Sequence, residues 1–146
     1  MMENKISAGL QGASLSGCEK EDNANSILSL YFNDKMELQI FSKWRLEHGE
    51  EIVVTATDAL NLNCKRLLTF FQPVINRKVL RVSFSPQLDL TIEMEDGYKI
   101  RTFSDISYAQ TENGNDWDAN WTLGFYENNL VYVATNHFQL VTETFD

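Results

Sequence analysis

Two stretches of this chain, 62 residues apart, alternate apolar and polar side chains in the same order. Leu28, Leu30, Phe32, Asp34, Met36, Leu38, Phe41 and Ser42 fall on Leu90, Ile92, Met94, Asp96, Tyr98, Ile100, Phe103 and Ser104. Alternation with a period of two is the pattern of a half-buried strand. Each stretch is interrupted once, by Asn33-Asp34-Lys35 and by Glu95-Asp96-Gly97. Asp-Gly favours a hairpin turn because residues there need positive φ. Each stretch therefore reads as a β-hairpin. The match resumes downstream: Trp44-Arg45-Leu46 resembles Trp121-Thr122-Leu123, and at an offset of 78 Ile52-Val53-Val54-Thr55-Ala56-Thr57-Asp58 falls on Leu130-Val131-Tyr132-Val133-Ala134-Thr135-Asn136. The added offset is absorbed by an insertion at 105–120, rich in Asn, Asp and Gly, which reads as an exposed loop. Self-similarity of this kind marks a repeated supersecondary unit. The expectation is one domain over residues 1–146, with internal repeats at about 10–58 and 76–140.

Strands are expected near 12–18, 27–32, 36–42, 44–47, 52–57, 78–84, 88–94, 98–103, 121–126, 130–135 and 137–142. One helix is expected near 60–71, where Leu60, Cys64, Leu67, Leu68 and Phe71 share a face and Pro73 stops the run. Residues 1–9 and 19–26 read as loose or looped. A single meander of so many strands would leave long exposed edges. Two copies can instead bury their apolar faces against each other. The fold class is thus mainly β, with α+β as the alternative: a duplicated antiparallel β unit forming a sandwich or partly closed barrel.

A hydrophobic share of 43% and an aromatic share of 12% are enough for a dense core. The formal charge of −9 is spread unevenly. Residues 1–58 carry ten acids and five bases, residues 59–88 carry five bases and no acid, and residues 89–146 carry eleven acids against Lys99 and Arg101. An acidic body does not gather nucleic-acid phosphates, where affinity comes from Lys and Arg releasing counterions. It attracts a basic partner and speeds the encounter. No apolar run approaches the roughly 18 residues of a membrane helix, so no membrane partner is expected. Cys18 and Cys64 are too few for a disulfide framework and read as thiols of a cytoplasmic protein. Leu15-Ser16-Gly17-Cys18 has the look of a lipoprotein cleavage box, but Glu3 spoils the basic start and Ser7, Gly9, Gln11, Gly12 and Ser14 dilute the apolar stretch.

Catalysis needs a small convergent set of groups. The two histidines, His48 and His137, sit in no recognised triad, and no Gly-x-Ser-x-Gly elbow exists. There is no Cys-x-x-Cys or His-x-x-x-His for zinc. Asn113-Gly114-Asn115-Asp116-Trp117-Asp118 lacks the ligand order of a calcium loop. No phosphate-cradling glycine loop is present, so no cofactor is implied. What stands out is charge. Glu93, Glu95 and Asp96 lie on one hairpin, and Asp105, Glu112, Asp116 and Asp118 extend the set. Trp117, among Asp and Asn, is a candidate interface anchor.

Trp44-Arg45, preceded by the acidic-turn hairpin Asp34-Lys35-Met36-Glu37-Leu38, resembles a recurrent feature of small acidic bacterial domains of unassigned function. The resemblance spans residues 27–58 and again 76–105. Some such domains are immunity proteins encoded beside secreted toxins. The resemblance implies a non-catalytic protein that holds a basic partner, and it carries over no catalytic residue. The alternatives are a structural or homodimerising module and an enzyme with an unrecognised site.

Overall fold

The computed structural model describes residues 1–20, 27–104 and 119–144. Among the described residues eleven strands form two antiparallel sheets. In chain order they are β1 (Leu15–Glu19), β2 (Leu28–Phe32), β3 (Met36–Ile40), β4 (Lys43–His48), β5 (Glu51–Thr55), β6 (Val79–Phe84), β7 (Leu90–Met94), β8 (Tyr98–Phe103), β9 (Ala119–Phe125), β10 (Leu130–Thr135) and β11 (Leu140–Thr144). The six-stranded sheet has the order β1-β2-β3-β9-β10-β11 and the five-stranded sheet β5-β4-β8-β7-β6. Helix α1 (Met2–Leu10) precedes β1, and α2 (Ala56–Ala59) and α3 (Cys64–Phe71) link β5 to β6. The protein is a β-sandwich, not a closed barrel.

Alternation builds the core. Leu28, Leu30 and Phe32 on β2, Leu38 and Ile40 on β3, Leu46 on β4, Ile92 on β7 and Ile100 on β8 are all fully buried. They join Trp44 and Trp121 in one cluster fed by both sheets. Each such side chain contributes about 1.5–3 kcal/mol by leaving water.

The pairing registers of the two halves coincide. Leu30 pairs with Leu38 as Ile92 pairs with Ile100. Leu38 pairs with Leu123, and Ile40 with Trp121, as Ile100 pairs with Leu46 and Thr102 with Trp44. The first strands even share a bulge, between Leu15 and Gly17 in β1 and between Val79 and Arg81 in β6. The halves do not each form a sheet, however. β1-β2-β3 is completed by β9-β10, and β6-β7-β8 by β4-β5, so each sheet takes strands from both halves.

The sheets meet along one side, where Ser14 bridges Lys78. The Gly12 and Leu15 amides donate to the Val79 and Arg77 carbonyls at 2.8 and 3.0 Å, and the Asn76 and Val79 amides donate to Leu15 and Ala13 at 2.8 and 2.8 Å. The Ser14 amide donates to Asn33 Oδ1 at 2.9 Å, and the Lys78 amide to Glu95 Oε1 at 2.7 Å.

Departures from the sequence reading have local causes. Residues 2–10 are helical, not loose, because Ile6 and Leu10, one turn apart, are fully buried. A Cβ on Gly9 would lie 2.6 Å from Phe125 Cε1, so any larger residue there would have to push the Phe125 ring aside. Residues 56 and 57, expected in a strand, begin α2, since Thr55 and Asp58 form a capping box. The helix expected from residue 60 starts at Cys64, capped by Asn63, and Leu60 is exposed. The last strand begins at Leu140 because the Thr135–Gln139 turn intervenes. Of the expected 105–120 insertion, Ala119 and Asn120 open β9 and the rest lies outside the described residues.

Leu38 and Ile100 occupy matching places in the two sheets. Leu38→Ala and Ile100→Ala should each cost about 2–5 kcal/mol in urea unfolding. A loss below about 1 kcal/mol at either position would contradict their place in the shared core.

Candidate functional site

The inner faces are apolar, so chemistry is left to the two outer faces. On the six-stranded sheet one row runs across every strand: Gly17, Tyr31, Glu37, Gly124, Val131, Glu143. The next row is Glu19, Ser29, Gln39, Thr122, Val133, Val141. The six strands hold Glu19, Glu37 and Glu143 and no Lys or Arg. Two phenols lean on these acids: the Tyr31 hydroxyl donates to Glu19 Oε2 at 2.9 Å, and the Tyr126 hydroxyl donates to Glu37. Lys35, in the β2–β3 turn, is held by Glu127 at 2.9 Å.

The five-stranded sheet is opposite in sign. Its strands hold Lys43, Arg45, Arg81, Lys99 and Arg101 against Glu47, Glu51 and Glu93. Arg45, Arg101, Thr91 and Ser83 lie side by side in one row, and Glu47, Lys99, Glu93 and Arg81 in the next. Glu47, whose side chain is only 10% exposed, is paired with both Arg45 and Arg101. Arg45 therefore finds its carboxylate two residues along its own strand. Its guanidinium also lies 5.0 Å from the Phe103 ring centre.

The acids singled out in the sequence are placed as follows. Glu93 lies on the outer face of β7, paired with Arg81 and, at 3.9 Å, with Lys99. Glu95 is in the following turn, where its carboxylate accepts from the Lys78 amide. Asp96, in the same turn, pairs with Arg77. All three are answered by the protein's own cations and amides and stand apart from the outer face of the six-stranded sheet. Asp105, Glu112, Asp116, Trp117 and Asp118 lie outside the described residues. The row of Glu37 and Glu143 was not singled out. Strand alternation puts each on a wet face, but that they share one row depends on β9 and β10 lying between β3 and β11.

His48 and His137 are both exposed and far apart in the topology. His48 stacks on Tyr98 at 4.1 Å, with Nε2 3.0 Å from the Asp96 carbonyl. The His137 amide donates to Thr135 Oγ1 at 3.3 Å. Among the described residues no group of three or more His, Cys, Asp or Glu is placed to hold a metal ion. No helix among them is long and apolar enough to cross a membrane. Leu15–Cys18, the cleavage-like box, lies within β1, where burial pushes the Cys18 thiol up to about 12, with Cys64 and Glu19 adding to it. Two open hollows lie on the five-stranded sheet. One of about 270 Å³ includes Arg101 and Phe103, and one of about 350 Å³ includes Leu80 and Tyr98. A scan of protein-family models, a search of curated proteins and a search of solved structures each returned no match.

Partial burial, then the hydrogen bond to Glu37 and its charge, raise the Tyr126 phenol from 10.0 to about 12. Its neutral form is the one favoured on folding. That stabilisation is complete below the ordinary phenol range and is lost as pH rises through about 12. In an ultraviolet titration Tyr126→Phe should remove one late-titrating phenol, and Glu37→Gln should move that phenol back toward 10.0. An unchanged profile in Glu37→Gln would contradict the assignment.

Proposed function

We propose that this is a non-catalytic binding protein that holds a basic protein partner against the outer face of the six-stranded sheet. The observation that carries it is charge segregation: three glutamates and no Lys or Arg on six strands, with Tyr31 and Tyr126 beside them. Tyrosine supplies contact area at low entropic cost, and an acidic field steers a cationic partner into register. The acids of the 105–118 segment (Asp105, Glu112, Asp116 and Asp118) and Trp117 are proposed to extend this surface. In its concrete form the protein is an immunity protein that covers the basic, nucleic-acid-binding cleft of a toxin in the cytoplasm. The two halves are read as copies of one duplicated unit, which their shared registers and shared bulge support.

A partner captured from the native cell should associate about tenfold or more slowly when salt is raised from about 0.05 to 0.5 M. The double variant Glu37→Lys, Glu143→Lys should slow it comparably at low salt. Salt-insensitive association, or a partner of acidic surface, would overturn the reading.

A second reading is a homodimer through the end strands β5 and β11. Ile52 on β5, 56% exposed, favours it. Sedimentation showing a monomer at high protein concentration would remove it.

A further inference from the structure

The hollow of about 270 Å³ on the five-stranded sheet is built around an arginine with unused donors. Arg101 Nε lies 3.0 Å from Glu47 Oε2, an ion-pair distance, yet this buried nitrogen has no hydrogen-bond acceptor. A guanidinium carries five N–H donors in a planar fork. Arg101 stands directly across from Arg45, and like charges in that position destabilise a sheet. Their single shared carboxylate, Glu47, offsets only one of the two charges. The other side of Arg101 opens on Thr91, its neighbour on β7, and on Ser83 beyond it on β6. Neither hydroxyl makes a hydrogen bond to another described residue. Phe103 and Asp89, the latter already accepting from the Ser104 amide, also line it.

We infer that this hollow is a carboxylate-binding site, with the Arg101 fork taking both oxygens and the Ser83 and Thr91 hydroxyls flanking them. The charges decide the class of anion. Glu47 offsets one of the two arginine charges, so about one positive charge is left beside the hollow, and a singly charged planar carboxylate matches it through the fork. A doubly charged phosphate would exceed that one charge and would also meet Asp89, which lines the hollow. Ligand pockets span roughly 300–1,000 Å³, and this one lies just below that range. It has room for a small carboxylate or for one acidic side chain or chain end of another protein, not for a large cofactor. The site lies on the opposite sheet from the proposed partner surface and does not depend on it.

The Arg101 Nε–H resonance is the direct probe. Benzoate should shift it saturably together with the Thr91 and Phe103 amides that line the hollow, and Arg101→Gln, read on those two amides, should abolish benzoate binding. Arg101→Lys, which keeps the charge but loses the fork, should weaken it about tenfold. Ser83→Leu fills the hollow from an exposed position while leaving both ion pairs to Glu47 intact, and should also abolish binding. A capped peptide with a free terminal carboxylate, compared with its amide, separates the sources. Tighter binding of the peptide acid than of benzoate assigns the site to a protein chain, and the reverse assigns it to a free metabolite. No saturable shift, unaltered binding in Ser83→Leu, or inorganic phosphate bound as tightly as benzoate would overturn the inference.

Discussion

The backbone pairing of residues 12–15 with 76–79 is the contact on which the sandwich turns. Without it the segments that lead into β1 and β6, the end strands of the two sheets, would carry unpaired amides and carbonyls, the usual template for unwanted association. The four bonds come in two matched pairs, Gly12 to Val79 with Asn76 to Leu15, and Val79 to Ala13 with Leu15 to Arg77. Asn33 and Glu95 reach in from equivalent turns to satisfy the amides of Ser14 and Lys78. One seam thus ties together the start of each half and the turn of its first hairpin. It also fixes the direction in which each sheet faces, because the bulges next to it set which residues of β1 and β6 point inward. The exposure of Leu80 follows directly, since it is the extra residue of the β6 bulge.

A repeated register constrains the interior and leaves the exterior free. Inward pairs such as Leu38–Leu123 and Ile100–Leu46 have to remain apolar on both sheets, since a polar group there would lose its water without a partner. The same geometry places Glu37 where the other sheet has Lys99, Gln39 where it has Arg101, Thr122 where it has Arg45, and Gly124 where it has Glu47. Charges on a wet strand face contribute little to stability, roughly 0–1 kcal/mol per pair. They are therefore free to differ between the two faces, and they do so in sign. Glu47 is the exception. Nearly buried, it costs several kcal/mol to desolvate unless paired, and that holds both arginines near it.

Much of this was legible in the sequence, and what was not has physical reasons. Each of the eleven expected strands corresponds to one in the structure, and burial alternates strictly in β2, β3 and β7, where one side of the strand is wet and the other dry. The turn Glu95-Asp96-Gly97 was legible as a turn, but the pairs it would set were not. Asp96 and Gly97 both have positive φ, as Asp-Gly demands, yet three residues separate Met94 from Tyr98, so that Glu93 and not Met94 faces Lys99. That one residue puts Glu93 in an ion pair and removes it from any free acidic patch. The hidden amphipathicity of α1 failed for a different reason. Ile6 and Leu10 are only two anchors among Ser, Ala and Gly, too sparse to signal a helix without the surface they cover. The hollow at Arg101 was illegible because its walls come from β6, β7 and β8 in an order that only the assembled sheet provides.

The exchange of strands between the halves also follows from chain connection, and here length turns out not to matter. Only Phe41 and Ser42 separate β3 from β4. They could form a tight hairpin within one sheet. Instead the Phe41 and Ser42 amides both donate to the Asn120 carbonyl, at 2.9 and 3.1 Å, and the chain passes to the opposite sheet. The matching step from β8 to β9 makes the same crossing, between Phe103 and Ala119, with a far longer connection. Two connections so different in length deliver β4 and β9 to equivalent places, so it is the strands' own pairing that selects the crossing. Burial of Trp44 and Trp121, the largest side chains the crossings carry inward, supplies the driving force.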